Sequence, residues 1–224
     1  MKLPKEDKNN TIKRYQARFE EYGYSPKALG WDKGKQDTRF DVLTSNFDLC
    51  NKSILDIGCG FGDLNKCLEA RCKKNYTYLG IDIVPTLLAE AKKRYQHDNV
   101  DFICGDFLAE AIEKPIDYAL GSGIFNHKLE GIDNYTLIEE TIRKSFNLCN
   151  EGVAFDFLSN KVDYRLERTF HSNPSKILEI AYNHTRNVIL RNDYMPFEFS
   201  IFMFKDDSFD KKDTLFNRFK HARN

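Results

Sequence analysis

The chain has 224 residues, of which 41% are hydrophobic and 30% charged, so it is long enough to bury one sizeable core and a single domain is expected. Its 34 basic and 34 acidic residues give a formal net charge of zero, which argues against nucleic acid or an anionic membrane as a partner. No apolar run approaches the roughly 18 residues of a membrane span and no leader pattern opens the chain, so we expect a cytoplasmic protein without membrane contact.

The first fifty residues are predicted to form a tail and a helical cap. Residues 1–10 are polar and are expected to be mobile. Apolar side chains at helical spacing predict helices over residues 11–22 and 35–49, with an irregular stretch between them that holds the single tryptophan, Trp31. We therefore assign residues 11–50 to an N-terminal helical cap.

A glycine-rich turn follows the first predicted strand. The short apolar run Ser53-Ile-Leu-Asp-Ile57 is typical of a buried parallel strand, and Gly58, Gly60 and Gly62 then lead into a helix. Glycine accepts positive φ and lets backbone N–H groups approach a ligand, while the N-terminus of the next helix offers unpaired donors. The turn therefore predicts a cofactor-binding site.

Strands and helices alternate beyond this turn, which predicts βαβ units and a parallel sheet with helices on both faces. The segment Asn192-Asp-Tyr-Met-Pro196 is too short for a crossover helix, so the last two strands should form a hairpin and add an antiparallel strand. The fold class is α/β, with one doubly wound domain over residues 51–204 and a charged tail over residues 205–224. The later strands are predicted over residues 76–83, 100–104, 116–121, 153–158, 186–191 and 197–204.

Acidic residues stand at the carboxyl ends of the second and third strands. Asp82 ends the second strand, and Asp106 follows the third strand between Gly105 and Phe107. The carboxyl ends of parallel strands form the ligand-binding edge of an open α/β sheet. A carboxylate at the position of Asp82 can accept both hydroxyl groups of a ribose.

Three segments together resemble the class I S-adenosylmethionine-dependent methyltransferases. They are Ile54-Leu-Asp-Ile-Gly-Cys-Gly-Phe-Gly-Asp63, Tyr78-Leu-Gly-Ile-Asp-Ile83 and Phe102-Ile-Cys-Gly-Asp-Phe107. The resemblance implies a seven-stranded sheet in the order 3-2-1-4-5-7-6 with strand 7 antiparallel. It also implies S-adenosylmethionine as the cofactor and S-adenosylhomocysteine as the product.

The same resemblance implies roles for individual residues. The glycine turn would lie against the methionine part of the cofactor, Asp82 would bind the ribose and Ile83 would pack on the adenine. Asp106 and Phe107 would contact the adenine edge, and the carbonyl near Gly121 would receive the amino group. Arg39 is assigned to the cofactor carboxylate from its position alone. The predicted cofactor site comprises Arg39, Asp56, Gly58, Cys59, Gly60, Asp82, Ile83, Gly105, Asp106, Phe107 and Gly121.

Candidates for a general base or an acceptor contact lie in later loops. Methyl transfer depends mainly on alignment, and a base adds to it for acceptors that must lose a proton. His127 follows the fourth strand and titrates near neutrality, and His171 precedes a helix N-terminus. Asp193 and Tyr194 lie in the terminal hairpin. A solvated loop histidine, a neighbour of a helix cap and an Asx-turn residue are the alternative interpretations of these positions.

Other functions were weighed against methyl transfer. A dinucleotide-binding dehydrogenase carries G-x-G-x-x-G, whereas the third glycine arrives one residue early here, and a scaffold without activity could keep the same fold. Enzymes that methylate bases or glutamine carry Asn/Asp-Pro-Pro-aromatic after strand four, and cytosine-C5 enzymes carry Pro-Cys. The segment Gly121-Ser-Gly-Ile-Phe125 matches neither motif, so a nucleic-acid or protein methyltransferase is the alternative and a small-molecule acceptor is favoured.

Two features suggest the kind of acceptor. Lys161, Arg165, Arg168 and His171 could hold a phosphate or a carboxylate, although they would equally suit a solvated face. The ending Tyr194-Met-Pro-Phe-Glu-Phe199 resembles methyltransferases associated with bacterial polysaccharide and capsule biosynthesis. That resemblance implies a sugar or another phosphorylated or nucleotide-linked metabolite, methylated by a monomer or a homodimer.

The six cysteines show no C-x-x-C pair and no Cys/His spacing of the zinc-site type. Most of them fall at apolar positions of predicted helices or strands. We therefore expect buried, reduced thiols, with neither a metal centre nor disulfides. These residues are Cys50, Cys59, Cys67, Cys72, Cys104 and Cys149.

Overall fold

A computed structural model describes residues 1–31 and 35–208, so the predicted tail lies outside the described residues from residue 209 onwards. The helices are α1 Lys5–Tyr22, α2 Gln36–Thr44, α3 Leu64–Cys72, α4 Pro85–Arg94, α5 Asn134–Leu148 and α6 Pro174–Tyr182. The strands are β1 Lys52–Ile57, β2 Tyr76–Asp82, β3 Val100–Cys104, β4 Ile116–Gly121, β5 Cys149–Leu158, β6 Val188–Arg191 and β7 Glu198–Phe204. None of the helices in these ranges is both long and apolar enough to cross a membrane.

All strands belong to one seven-stranded sheet with the order β3-β2-β1-β4-β5-β7-β6. Neighbouring strands from β3 to β5 are parallel, and β7 runs antiparallel to both β5 and β6. The predicted fold class, strand order and terminal hairpin are therefore confirmed. The order reverses direction between β1 and β4, and a ligand binds at such a switch point in open α/β sheets.

Both faces of the sheet are covered by helices. On one face, Ile138 and Ile142 of α5 and Ile177 of α6 pack against buried aromatic side chains of β5 and β7. On the other face, α2 and α3 contribute Leu43 and Leu68 to a second buried cluster. Burial on both faces explains why the strands read as nearly continuous apolar runs rather than as alternating patterns.

The starts of α5 and α6 follow their capping residues. The Asp133 carboxylate accepts a hydrogen bond from the Thr136 N–H at 3.1 Å, and the Asn173 side chain accepts one from the Ser175 N–H at 3.0 Å. Pro174 occupies the first helical position of α6, where its missing N–H has no cost. Both helix starts follow from the local sequence, because a capping side chain acts within a few positions.

The N-terminal tail is the main correction to the predicted elements. The helix α1 begins at Lys5, so residues 5–10 form its first turns instead of a mobile segment. The buried Asp7 carboxylate accepts hydrogen bonds from the Glu130 N–H at 2.9 Å and the Gly131 N–H at 3.0 Å. A contact between residues so far apart in sequence leaves no local pattern, and for that reason the early start was missed.

A disulfide joins Cys50 to Cys72, with a Cα–Cα distance of 5.1 Å, so the expectation of fully reduced cysteines is wrong for this pair. Cys50 precedes β1, and Cys72 ends the helix before β2. These strands are neighbours in parallel register, with Lys52 opposite Tyr76, which brings the two preceding segments together. The free cysteines are Cys59, Cys67, Cys104 and Cys149.

Candidate active site

A cavity of about 700 Å³ lies at the carboxyl ends of the central strands. Its walls come from the segments that follow β1, β2, β3 and β4, together with α1 and the residues that precede β7. The volume falls within the range of roughly 300–1,000 Å³ that is usual for small-molecule sites. The cavity therefore stands where the topology predicts a ligand.

The glycine turn after β1 forms one wall of this cavity. Gly58, Gly60 and Gly62 have φ values of 69°, 55° and 74°, a region that other residues enter at a cost. A Cβ atom on Gly58 would lie 2.4 Å from Cγ2 of Ile124. A side chain at this position is therefore excluded by both backbone strain and contact with the loop after β4.

Asp82 is tied directly to that turn. One carboxylate oxygen accepts a hydrogen bond from the Gly60 N–H and the other accepts one from the Val84 N–H, both at 2.8 Å. Burial raises the pKa of Asp82, and the backbone N–H donors act in the opposite direction. The predicted ribose acid thus lines the cavity with a fixed orientation.

Asp56 is a second buried acid on the cavity wall. Its carboxylate accepts a hydrogen bond from the Tyr78 hydroxyl at 2.7 Å. Burial raises the pKa of Asp56 to about 7, although the bond from Tyr78 lowers it. This acid therefore titrates near neutral pH and can respond to a cation in the cavity.

The residues that the sequence assigns to the adenine lie on the same cavity, and the N-terminal segment contacts one of them. Ile83, Gly105, Asp106 and Phe107 all line the cavity. The Asp106 carboxylate accepts a hydrogen bond from the Leu3 N–H at 2.7 Å. The start of the chain therefore reaches the carboxylate that the sequence assigns to the adenine edge.

Arg39 lines the cavity, but its charge is already balanced. Its guanidinium makes a two-point contact with the Glu198 carboxylate, with an Nε–Oε2 distance of 2.8 Å and a second bond from Nη2 to Oε1. It also lies over the Trp31 ring, 3.9 Å from the centroid. Any contact with a cofactor carboxylate would have to share this guanidinium with Glu198, a residue that sequence reasoning did not select.

Asp156 organises the loop after β4. Its carboxylate accepts hydrogen bonds from the Ser122 hydroxyl and the Gly123 N–H, both at 2.6 Å. Burial raises the pKa of Asp156 to about 6. Ser122 and Gly123 line the cavity, whereas the predicted residue Gly121 does not.

His127 lines the cavity and is held by hydrogen bonds. Its Nδ1 atom lies 2.6 Å from Nη1 of Arg14, and its carbonyl accepts a hydrogen bond from the Asn134 side chain at 2.7 Å. Because a guanidinium can only donate, Nδ1 is the acceptor and the proton of the neutral ring is on Nε2. Burial lowers the pKa of His127, and the Arg14 charge adds to this effect. The neutral ring therefore has no free lone pair with which to act as a base.

His171 also lines the cavity, with both ring nitrogens engaged. Its Nδ1 atom donates to the Ser159 carbonyl at 2.8 Å, and its Nε2 atom lies 3.0 Å from the Thr169 hydroxyl. These contacts fasten the segment before α6 to the end of β5. The arrangement favours the alternative interpretation of His171 as a neighbour of the helix cap.

Asp193 and Tyr194 are corrections to the predicted site, because neither lines the cavity. Asp193 is exposed and pairs with Arg191 at 3.0 Å, as the turn interpretation expects. The Tyr194 hydroxyl lies 2.8 Å from the Ser200 hydroxyl, directed into the sheet. The residues that follow them, Met195 to Glu198, form that part of the wall instead.

The mouth of the cavity is both apolar and basic. Tyr164 and Leu166 line it while remaining 61% and 50% exposed. Of the cations predicted in this segment, Arg168 lines the cavity, whereas Lys161 and Arg165 do not. An acceptor that enters here would meet apolar side chains and one guanidinium.

The contribution of α1 was missed by sequence reasoning. Thr11, Arg14 and Tyr15 all line the cavity, and their spacing of three and four residues places them on one face of the helix. Polar residues at helical spacing beside an apolar face were the available signal. That signal does not reveal which surface the polar face covers.

Comparisons with known sequences point to one family. A family model described as "Methyltransferase domain" matches residues 54–144. A protein of Mycobacterium tuberculosis, whose name describes it as a methyltransferase, is 33% identical over 159 residues, covering 68% of this chain and 93% of that protein. The malonyl-[acyl-carrier protein] O-methyltransferase of Priestia megaterium is 31% identical over 146 residues, covering 64% of this chain and 46% of the relative.

Solved structures share the fold at low identity. The magnesium protoporphyrin IX methyltransferase of Synechocystis with bound S-adenosylmethionine is 14% identical with a TM-score of 0.64, covering 91% of this chain and 99% of the other. The N-methyltransferase NodS of Bradyrhizobium japonicum, in complex with S-adenosylhomocysteine, has a TM-score of 0.62 and is also 14% identical, covering 85% and 97%. Both likenesses concern the arrangement of the sheet and helices.

Proposed function

Because the chain belongs to the class I S-adenosylmethionine-dependent methyltransferases, we propose that it transfers a methyl group from S-adenosylmethionine to a small-molecule acceptor. The observation that carries the proposal is the bond between the Gly60 N–H and the Asp82 carboxylate at the switch point of the sheet. This bond joins the two parts of the sequence that the family uses for its cofactor. NAD(P)-dependent oxidation is the alternative on the same type of sheet.

The cofactor would lie along the ends of β1, β2 and β3. Asp82 would accept the ribose hydroxyl groups, and Ile83 and Phe107 would contact the adenine. The backbone of Gly58, Cys59 and Gly60 would pass beside the methionine part. Asp56 stands below this turn with a pKa of about 7, so a bound cation would favour its charged form.

Methyl transfer requires little of the protein beyond alignment of the methyl group with the acceptor atom. The methyl–sulfur bond of the sulfonium breaks as the acceptor atom forms a bond to the same carbon, and the neutral thioether leaves with the electron pair. Holding the two reactants in line can lower the barrier by about 7–11 kcal/mol. An acceptor atom that is already ionised, or that is an unprotonated amine, needs no base, which agrees with the engaged nitrogens of His127 and His171.

The acceptor that we propose is a phosphorylated or nucleotide-linked metabolite or sugar of polysaccharide or capsule biosynthesis. Arg14 and Arg168 on the cavity wall support an anionic acceptor. The sugar is supported by the resemblance of residues 194–199 to methyltransferases of polysaccharide and capsule biosynthesis. The relative from Priestia megaterium carries a malonyl group in its name, so a carboxylate is the competing anion. A nucleic-acid acceptor is disfavoured by the zero net charge.

The compartment that we propose is the cytoplasm, with the enzyme acting as a monomer or a homodimer. A disulfide such as Cys50–Cys72 is uncommon in a reducing compartment. Counting free thiols in cell extracts therefore tests whether the disulfide forms in the proposed compartment.

Thermal unfolding with and without ligands tests the cofactor. A ligand that binds only the native state at 100 times its Kd adds about 2.7 kcal/mol to the free energy of unfolding. We expect S-adenosylmethionine and S-adenosylhomocysteine to raise Tm and NAD and NADP to leave it unchanged. A rise with NAD alone would instead favour the dehydrogenase, and no response to any of them would favour a scaffold. Labelled methyl uptake by a panel of phosphorylated and nucleotide-activated metabolites then tests the acceptor.

A further inference from the structure

We propose that Arg14 binds an anionic group of the acceptor and that His127 positions Arg14 for this task. The inference rests on the proposed function and adds a residue on α1 to the acceptor site. It also assigns His127 a different role from that of a general base.

Arg14 is a half-buried cation without an acidic partner among residues 1–31 and 35–208. Its contacts are the His127 ring and the face of Tyr15, whose centroid is 5.7 Å from the guanidinium carbon. The other buried arginine of the cavity, Arg39, is by contrast paired with Glu198. In the described part of the chain, carboxylates do line other parts of the cavity, but none of them pairs with Arg14. A partly desolvated guanidinium without such a partner is best satisfied by an anion from solution.

The hydrogen bond to His127 fixes the direction of the guanidinium. A guanidinium carries five N–H donors in one plane, and Nδ1 of His127 accepts from the Nη1 group at 2.6 Å. The remaining donors stay available in a plane that this bond holds in place. Planar, paired donors match the geometry of phosphate and carboxylate oxygens.

The pair of Arg14 and His127 is held by contacts on both sides of the cavity. Asp7 on the same helix holds the turn at Glu130 and Gly131, three and four residues beyond His127. On the other side, a bridge between His127 and Thr169 joins the loop after β4 to the segment that contains Arg168. Arg14 is therefore attached to the rigid sheet through the loop and does not depend on its helix alone.

The surroundings favour an organic anion over a bare ion. Arg168 is the second guanidinium at this end of the cavity, and its charge also acts on the His127 ring. Leu129 and Leu166 line the same cavity, and Tyr164 is in edge contact with Phe197 at a centroid distance of 6.5 Å. A phosphate or a carboxylate attached to an apolar or aromatic group would satisfy both surfaces.

A titration with four matched probes tests the charge requirement. The full-length protein is saturated with S-adenosylhomocysteine and titrated calorimetrically with phenyl phosphate, benzoate, benzyl alcohol and benzylamine. We expect phenyl phosphate or benzoate to bind at least 10-fold more tightly than the alcohol and the amine. The order of the two anions distinguishes a phosphate from a carboxylate source. Equal binding of the alcohol, or no binding of either anion, would overturn the proposal.

Paired variants test the residue. Arg14→Met should weaken binding of the preferred anion at least 10-fold, because the variant loses the charge-assisted hydrogen bonds to the anion. Lys13→Met, which removes the same charge from the exposed neighbouring position on α1, should change it less than 2-fold. Equal losses in the two variants would indicate only the general electrostatic field, and unchanged binding in Arg14→Met would exclude the site.

Variants of His127 separate positioning from general-base catalysis. Glutamine keeps a carbonyl oxygen that can accept from Arg14, so His127→Gln should bind the anion within about 3-fold of the wild type, whereas His127→Phe should lose about 10-fold. Equal losses in both variants, at unchanged Tm, would contradict the positioning role. If the wild type fails to bind S-adenosylhomocysteine, the proposed function fails, and the same anion titrations without that ligand still decide the role of Arg14.

Discussion

At the scale of single residues, buried carboxylates determine how the cavity wall is built. Asp82 connects the glycine turn to the end of β2, Asp156 holds the loop after β4, and Asp56 accepts from Tyr78. Each is buried, and burial raises the pKa of all three. Desolvation of a carboxylate is costly, and these sites offset the cost with hydrogen bonds from backbone N–H groups or hydroxyls.

The first prediction concerns Asp82 and the cofactor. Asp82→Asn should weaken the binding of S-adenosylhomocysteine by at least 10-fold, because hydrogen bonds to a charged acceptor contribute roughly 1.5–3 kcal/mol. Isothermal titration measures the change. The matched control is Asp101→Asn on the exposed edge of β3, where the carboxylate pairs with Lys114 outside the cavity. A loss of less than 2-fold in Asp82→Asn would remove this residue from the cofactor site.

The second prediction concerns pH and Asp56. Its pKa in the native state is about 7 against an ordinary value of 3.8, so the native protein binds the extra proton between these values. Stability should therefore be greatest at low pH within this window and should fall as pH rises towards 7. Asp56→Asn should flatten the fall in Tm between pH 5 and pH 8, measured in the absence of ligand. Because Asp156 has a pKa of about 6, a smaller fall in Tm with pH should remain in Asp56→Asn.

An unchanged slope in Asp56→Asn would show that the carboxylate is ionised throughout. Tyr78→Phe provides the complementary measurement, because it removes the hydrogen bond that favours the charged form of Asp56. In Tyr78→Phe the pKa of Asp56 should rise further, so the fall in Tm should extend to higher pH.

At the scale of elements, α1 completes the cavity that the sheet begins. The pattern of apolar residues predicted its second half correctly, because Ile12, Tyr15 and Phe19 pack beside Phe61 and the residues of α4. Its position over the cavity was not predictable, because the contacts of Asp7 and Arg14 reach residues after β4. The pattern of an amphipathic helix shows which face is buried, but it does not identify the surface that covers this face.

The third prediction concerns the attachment of α1. Asp7→Ala leaves the N–H groups of Glu130 and Gly131 without their acceptor, at a cost of about 2 kcal/mol in the free energy of unfolding. For a chain of this size that corresponds to a fall in Tm of about 4–8 °C in a thermal scan. Glu20→Ala, on an exposed position of the same helix, should leave Tm within about 1 °C. Equal Tm values for wild type and Asp7→Ala would mean that the helix is held by its apolar face alone.

At the scale of the whole molecule, one covalent link adds to the stability of the core. The disulfide between Cys50 and Cys72 closes a loop with a sequence separation of 22 and joins the segments before two neighbouring strands. Restriction of the unfolded chain by a loop of this length is worth about 3 kcal/mol in the entropic treatment. The link lies outside the cavity, so it should affect folding and leave ligand binding unchanged.

The fourth prediction follows from that link. Cys50→Ser combined with Cys72→Ser should lower Tm by about 6–12 °C while leaving the affinity for S-adenosylhomocysteine within 2-fold. Thiol titration of the wild type in denaturant should detect the four free cysteines before reduction and all six after it. Six reactive thiols before reduction would contradict the disulfide.

Local patterns in the sequence were enough to predict an α/β sheet with a terminal hairpin, a glycine turn and acidic residues at one edge, whereas the strand order and the cofactor roles came from the resemblance to the methyltransferase family. Apolar runs, capping residues and the glycine turn each act within a few positions, and the chirality of βαβ units leaves few sheet orders to choose from. The assignment of Asp82 and Asp106 to one edge followed directly, because the carboxyl ends of parallel strands meet there.

Tertiary structure alone decided which residues line the proposed acceptor end of the cavity. Arg14 and His127 are separated by 113 positions, and Arg39 and Glu198 by 159, so no periodicity or spacing connects them. The partner of each charged group, and hence whether a histidine can act as a base or a guanidinium can bind an anion, depends on which side chains the fold brings within hydrogen-bonding distance. That choice is made by the packing of α1 and the terminal hairpin around the sheet.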